Sequence, residues 1–376
     1  MAVNKRILKK SRFWKKISKL SFDLSVIYSR KAWLVDGLKR KTEKSKGYQI
    51  NDDAINKVWQ GVKINKNWLR FYNSIERGDN KPFDARYLPL DIQYCFIDDW
   101  FNKTQEALML DDKNWYDLFF FDVNRPKTIA RITRHTFFDS EYNKISLDEV
   151  VERCVAEKRV ILKPTINSSG GRGIEFWDDT QDRESLKKFL QKQDNYVIQS
   201  VIQQHEEINK IYPHSVNSIR IVTCNYEGET TVLSAVIRMG VDGNKLDNAS
   251  KGGLFCGIDE NGNLRKYAYT KYGDTFSTHP QGAVFAGCHI PNYNKCKELV
   301  IRLSNRFLRI SRLISWDLAI DVNGEPTLIE VNLCYGGTDI HQIANGPLYG
   351  DKTEAILDKV FRKTKKYRVL NHLIHS

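Results

Sequence analysis

The spacing of apolar residues along the chain changes character, and each change marks a boundary. As far as residue 107 apolar positions recur every three to four residues, which predicts helices, broken by polar stretches at 44–47 and 78–82. From Asp111 the pattern is mixed. It predicts a helix over 147–158, strands at 159–163 and 173–177 around a Ser/Gly loop, a helix over 183–193 and a buried strand at 196–202. Strands at 220–225 and 231–239 flank the turn Tyr226-Glu227-Gly228-Glu229, and a further hairpin turns at Asn261-Gly262. A long helix with Leu299, Val300, Leu303, Phe307 and Ile310 on one face is expected over 294–313. A last hairpin follows it, and a basic helix from residue 352 closes the chain. There is no internal repeat and no low-complexity segment.

The last hairpin carries the most chemistry. Two runs with apolar alternation flank Asn323-Gly324, the preferred pair for a two-residue type I′ turn. With that turn Val322 faces Glu325, and counting outward sets Asp317 opposite Glu330, with Asn332 on the same face. Opposed side chains stand about 5 Å apart, and like charges there are destabilising unless something neutralises them. A hard divalent cation would do so, since Mg²⁺ takes one or two carboxylates and completes its shell with water and phosphates. The plainer reading is a surface hairpin with solvated acids. On the charge argument alone, removing either carboxylate is expected to leave stability unchanged or slightly raised.

Bulk composition changes the picture little, except at one end. With 376 residues, 41% apolar and 28% charged, the chain is long enough for two or three domains with full cores. No apolar run reaches membrane-spanning length and residues 1–30 lack the apolar core and small-residue cleavage site of a signal peptide, so a cytoplasmic setting is expected. The seven cysteines are scattered without a CxxC pair, which argues against disulfides and zinc. Residues 1–50 hold 15 Lys/Arg against 3 Asp/Glu, a surplus of 12, while the rest of the chain is nearly neutral. There Ile7, Trp14, Ile17, Leu20, Leu24 and Ile27 form an apolar stripe between lysines and arginines. Two readings stay open: peripheral contact of residues 1–30 with an anionic membrane, or packing of the stripe on the protein itself. No nucleic-acid motif is present, and nucleic acid is not an expected partner.

A second stretch, Ile161-Leu162-Lys163-Pro164-Thr165-Ile166-Asn167-Ser168-Ser169-Gly170-Gly171-Arg172-Gly173-Ile174, brings a lysine off a strand into a glycine loop. Glycines allow the positive φ values that turn backbone N–H groups into one concavity, a cradle for phosphate oxygens. Lys163 adds a point charge. This is neither a Walker A loop, a dinucleotide fingerprint nor a protein kinase.

In sequence order, Asp111-Asp112-Lys113, the second lysine before the Ser/Gly loop, the buried strand and the Asp, Glu and Asn of the late hairpin resemble the ATP-grasp fold. The spacing of the last three is similar to that of D-alanine–D-alanine ligases. Ser218-Ile219-Arg220, Ala235-Val236-Ile237-Arg238 and Asp247-Asn248-Ala249-Ser250-Lys251-Gly252-Gly253 are similar to ribosomal-protein glutamate ligases. The resemblance is closest to the sugar-transfer-associated ATP-grasp proteins. It is carried by Leu110-Asp111-Asp112-Lys113-Asn114, Gln203-Gln204-His205, Pro213-His214-Ser215-Val216-Asn217-Ser218-Ile219-Arg220 and Glu330-Val331-Asn332 with Gly336-Gly337.

The resemblance implies an α+β, ATP-grasp fold in which two α+β subdomains clamp ATP, after a helical, basic region over 1–107. The ATP-grasp domain would span 108–376, with the nucleotide-binding subdomain at 108–200 and the metal-bearing one at 201–376. It makes Lys113 and Lys163 the phosphate lysines, Ser169, Gly170, Gly171 and Gly173 the flap, and Gln199, Ser200, Val201 and Ile202 the adenine linker. Glu206 or Glu207 is the candidate for the ribose. Asp317, Glu330 and Asn332 become ligands of Mg²⁺, with Mn²⁺ an acceptable substitute, and Arg220, Arg238, Asn248 and Lys251 the catalytic group. The function implied is ATP- and Mg-dependent amide-forming ligation of a carboxylate and an amine through an acyl phosphate, in cell-surface polysaccharide or sugar modification. Its substrates would be small-molecule or glycan acids and amines. The rivals are a small-molecule or sugar kinase on the same fold and a nucleotide- or glycan-binding module without turnover.

Overall fold

A computed structural model describes residues 21–375, apart from 22, 33, 35, 36, 79, 80, 108, 109, 167 and 168, and apart from the Ser169 side chain. The basic stripe therefore lies largely outside the described residues. The chain divides into two compact units. One holds residues 1–100 and 346–376, so the C-terminal helices share a unit with the N-terminal ones. It is helical: Asp52–Trp59 and Lys66–Ser74 start at the side-chain caps Asn51 and Asn65, and Lys365–His375 ends the chain. Among the described residues no helix is long and apolar enough to cross a membrane, and all seven cysteines are free.

The other unit, 101–345, is built on two antiparallel sheets. Five strands form the first: β1 (Thr128–Thr133), β2 (Thr136–Phe138), β3 (Arg159–Pro164), β4 (Glu175–Asp178) and β5 (Asn195–Ser200), in the order β2-β1-β5-β3-β4. The helices Leu147–Glu157 and Arg183–Gln191 cover one face, burying Val150, Leu162, Leu190 and Ile198. The β1–β2 hairpin escapes the sequence reading. Its tight turn uses Arg134 and His135, both at positive φ, so none of the usual Gly or Asn signals marks it.

The second sheet holds β6 (Ile219–Tyr226), β7 (Glu229–Met239), β8 (Leu254–Ile258), β9 (Leu264–Tyr269), β10 (Thr275–Phe276), β11 (Leu313–Ile320) and β12 (Pro326–Asn332), in the order β10-β9-β8-β7-β6-β11-β12. One face packs Ile221, Ile237 and Trp316 against Val300 and Leu303 of the helix Tyr293–Ser304. That helix stops nine residues short of the expected 313. The chain turns after Ser304 because Leu313 and Ile314 pair with Cys224 and Thr223 of β6, and ladder pairing overrides the helical spacing of Phe307 and Ile310.

The last hairpin corrects the expected turn and keeps its consequence. Gly324 has φ +79 but Asn323 is not at positive φ, so the loop is not type I′. Asp321 accepts from the N–H groups of Asn323 and Glu325, and Asp321 N donates to Glu325 O, closing a three-residue loop. Ile320 consequently pairs with Pro326, one residue off the expected register. A bulge between Leu318 and Asp317 then takes up one extra residue of β12, and Asp317 stands opposite Glu330 as expected. Two one-residue departures cancel. Like the Arg134-His135 turn, the turn between β6 and β7 has two residues at positive φ, Glu227-Gly228.

Candidate active site

Strand alternation aims Arg220, Arg238 and Asp317 away from the apolar face that holds Ile221, Ile237 and Trp316. Asp317, 2% exposed, stands between Glu330 on one side and Arg220 on the other. Arg220 grips it with a fork, Nε to Oδ1 and Nη2 to Oδ2, both at 2.7 Å. Arg238 Nη2 donates to the same Oδ2 at 3.1 Å. Burial pushes the Asp317 carboxyl up, but Arg220 and then Arg238 outweigh it and hold it at about 2. Glu330 is neutralised separately, by Lys113 Nζ at 2.9 Å from Oε1. The repulsion inferred from the register is thus relieved by three cations of the protein itself. The expectation that removing Asp317 would leave stability intact is therefore corrected: two buried guanidiniums depend on it.

Arg238 is fixed from a second direction. Its Nε and Nη2 donate to Ser218 Oγ at 2.9 and 2.6 Å, Ser218 Oγ donates to Asp247, and Asp247 Oδ2 lies 3.5 Å from Arg238 Nη2. Sequence reasoning quoted Ser218 and Asp247 as motif residues and gave them no role; their places two residues before Arg220 and directly before Asn248 were the available signal. It also passed over His341, fully buried on the helix Thr338–Asn345, with Nδ1 3.0 Å from Ser234 Oγ. Burial and then Arg220 push its imidazole down to about 3, so it is neutral.

On the first sheet, Lys163 leaves β3 on the face opposite the helices and lies 3.3 Å from Gln199 Oε1. Burial lowers its ammonium to about 8 although Glu330 opposes this, and Lys113 lowers it further. A polyphosphate arriving there raises that value again. Nucleotide binding between about pH 8 and 10 is therefore expected to take up a proton and to weaken as pH rises. Calorimetry in two buffers of different ionisation enthalpy checks this, and Lys163→Met should abolish the uptake.

Lys113 sits on a single 3₁₀ turn capped by Asp112, and its N–H donates to Thr165 O at 3.0 Å. That bond ties the lysine to the loop leaving β3. In the loop, Gly170, Gly171 and Gly173 all have positive φ, near +70°. Lys251 Nζ donates to Gly171 O at 3.1 Å, and Asn248 Oδ1 lies 2.6 Å from where a Gly171 side chain would begin. The flap thus rests on the segment 248–251 after β7. Gly171→Ala is expected to raise KM for ATP about tenfold, since positive φ costs a non-glycine residue about 1–2 kcal/mol and the methyl group meets Asn248. Steady-state kinetics decides it.

The remaining candidates are less engaged. Ser200 ends β5, and its N–H and Oγ are bonded to the O and N–H of Lys127, which ties it to the chain leading into β1. Val201 and Ile202 follow it, half-buried. Glu207 is exposed and pairs with Lys210 on its own short helix rather than with any residue of the cluster.

Among the described residues no three His, Cys, Asp or Glu side chains gather as a metal site, so a divalent cation must draw on Asn332 as well as the carboxylates. Asn332 Nδ2 is buried without a hydrogen-bond partner. Turning the amide over puts its oxygen there instead, giving with Glu330 and Asp317 an all-oxygen donor set of the kind Mg²⁺ takes. The residues fit, with Asp317 sharing its oxygens with the arginines.

Two antiparallel sheets, a lysine before a glycine loop on the first and a carboxylate hairpin on the second are the arrangement of the ATP-grasp class. A family model described as sugar-transfer associated ATP-grasp matches residues 96–356, well over half of the chain, and the protein belongs to that family. No curated protein matches the chain. Similar solved structures include the L-amino acid ligase from Bacillus licheniformis, 15% identical with TM-score 0.40, covering 69% of this chain and 48% of that one. D-alanyl-alanine synthetase A from Vibrio cholerae O1 biovar eltor str. N16961 is 14% identical with TM-score 0.38, over 69% and 63%. D-cycloserine synthetase DcsG is 12% identical with TM-score 0.39, over 66% and 68%. The chain spans less than two thirds of the length of the first two.

Proposed function

We infer that the protein is an ATP- and Mg-dependent ligase that joins a carboxylate to an amine through an acyl phosphate. The observation that carries this reading is the surplus of cations. Lys113, Lys163, Arg220, Arg238 and Lys251 gather with Asp111, Asp247, Asp317 and Glu330, five positive charges against four negative. Phosphoryl transfer depends on positioning and charge neutralisation, and a carboxylate nucleophile brings one more negative charge than a hydroxyl would.

In this reading Lys113 and Lys163 hold the phosphates beneath the flap of Ser169 to Gly173, and the backbone of Gln199 to Ile202 reads the adenine. Glu330, Asn332 and Asp317 would hold Mg²⁺, which supplies neutralisation of the phosphate oxygens. Arg238 steadies the acid while one of its oxygens bonds to the γ-phosphorus and ADP departs. The amine nitrogen then bonds to the acyl carbon, inorganic phosphate leaves, and the amine gives up a proton. Arg220 and Arg238 stabilise the negative charge that develops on both occasions. The acceptor in this reading is a sugar or an acidic derivative of one, which the family's description as sugar-transfer associated supports.

Supplying an acid that stimulates ADP release together with hydroxylamine should yield a hydroxamate, and ¹⁸O from the labelled carboxylate should reach inorganic phosphate. A stable phosphorylated product with no hydroxamate and no label transfer would replace the ligase by a kinase.

A further inference from the structure

Apart from the cation cluster, a cavity of about 450 Å³ opens beside the start of β1. Asp117, one of its lining residues, holds two arginines, of which Arg125 also lines the cavity. Arg125 and Arg131 both donate to Asp117, and their side chains are 9% and 1% exposed. They differ in how fully they are used. Arg131 donates to the carbonyl oxygens of Asp139, Asn114 and Ser140 as well, and Tyr142 stacks 4.0 Å from its guanidinium. A structural arginine in this fold looks like that. Among the described residues Arg125 makes one hydrogen bond, to Asp117, which leaves the rest of its five N–H donors open to the cavity that it lines.

Charge gives the same answer. Asp117 already accepts from both guanidiniums and from Thr128 Oγ1, so two positive charges share one carboxylate, while Lys127 and Glu141 add one charge of each sign to the lining. The surplus positive charge faces the cavity through Arg125, where an incoming anion balances it. The rim supplies the second half of a ligand site. Leu118 is 52% exposed and Phe121 82%, the most exposed large hydrophobic side chain among the described residues, and both line the cavity. The volume is that of a site for a single small molecule.

We propose that this cavity binds a small organic acid, its carboxylate taken by the Arg125 fork and its apolar face laid against Leu118 and Phe121. The planar guanidinium matches a carboxylate in two parallel hydrogen bonds. Two sources share this chemistry, an acidic sugar with an apolar ring face and an aromatic or aliphatic acid. The proposal is independent of the reaction inferred above, because none of these residues belongs to the cluster of Lys163, Arg238 and Asp317.

The test is calorimetric titration of the full chain with glucuronate, benzoate and inorganic phosphate, with ligand-observed NMR as a second readout. Glucuronate or benzoate should bind saturably, and Arg125→Gln should weaken it about tenfold, equivalent to ~1.4 kcal/mol. Phe121→Ser, too exposed to disturb folding, should weaken it severalfold. Tighter binding of glucuronate identifies the sugar acid as the source, and tighter benzoate the apolar acid. The proposal is overturned if neither acid binds, if native-like Arg125→Gln binds as the parent does, or if phosphate binds as well as both acids and Phe121→Ser has no effect. Should Arg125→Gln not fold, Phe121→Ser and the ranking of the three probes decide alone.

Discussion

Asp317→Asn is expected to abolish Mg²⁺-dependent ATP turnover and, in addition, to destabilise the unit of residues 101–345. The substitution leaves Arg220 and Arg238 facing a neutral amide where a carboxylate had accepted three charge-assisted hydrogen bonds. Breaking a buried ion pair from one side costs about 3 kcal/mol, which lowers Tm by roughly 6–12 °C in a unit of this size. Glu330→Gln should stop turnover equally but cost less than about 1 kcal/mol, because Glu330 is one third exposed and pairs with a single lysine. The two carboxylates face each other, yet only one is a keystone. Thermal unfolding of both variants separates these outcomes, and equal Tm values would refute the arginine clamp.

The clamp has a pH signature as well. The Asp317 carboxyl is depressed from 3.8 to about 2. Its contribution, on the order of 2 kcal/mol, is fully present above about pH 4 and disappears as pH falls towards 2. Asp317→Asn should therefore flatten the acid limb of the stability curve in that window, which denaturant melts at stepped pH would show.

Arg238→Gln is the second large effect. Arg238 is held by Ser218 and by two aspartates, so its guanidinium is oriented before any substrate arrives. Preorganised charged donors of this kind are worth about 10²–10³-fold in kcat. The variant should lose that factor while KM for ATP changes little, since the nucleotide phosphates are assigned to Lys113 and Lys163. Arg238→Lys restores charge but not the fork, and should recover only part of the rate. A kcat within twofold of the parent would remove Arg238 from the mechanism. Ser218→Ala offers a milder probe of the same geometry, because it withdraws the hydroxyl that fixes the arginine and leaves the arginine in place.

Local pattern alone was enough for much of this molecule. Strand alternation and turn residues foretold β3 to β7, and an Asp-Asp-Lys segment, a Lys-Pro-glycine loop and a Glu-Val-Asn end named the residues from which the cluster is built. These signals are legible because period and turn chemistry act over a few residues and need no distant partner. The opposition of Asp317 and Glu330 was read correctly through an incorrect turn. The three-residue loop closed by Asp321 and the bulge at Ile329 shift the register in opposite senses, and no rule of local spacing foresees such a bulge.

What the sequence could not decide is which cation meets which carboxylate. Arg220 and Asp317 are 97 residues apart, Lys113 and Glu330 farther still, and they come together only when β6 pairs with β11 and the turn at Lys113 settles against the loop at Thr165. The same holds for Arg125, which nothing in its neighbourhood distinguishes from Arg131 until both close on Asp117. The sequence by itself determined the class of element, the inventory of charged groups and their order along the chain. Only the tertiary structure decided their pairing and burial, because a charge's partner and dielectric are set by segments remote in sequence, and these convert a pair of repelling acids into a clamp of arginines.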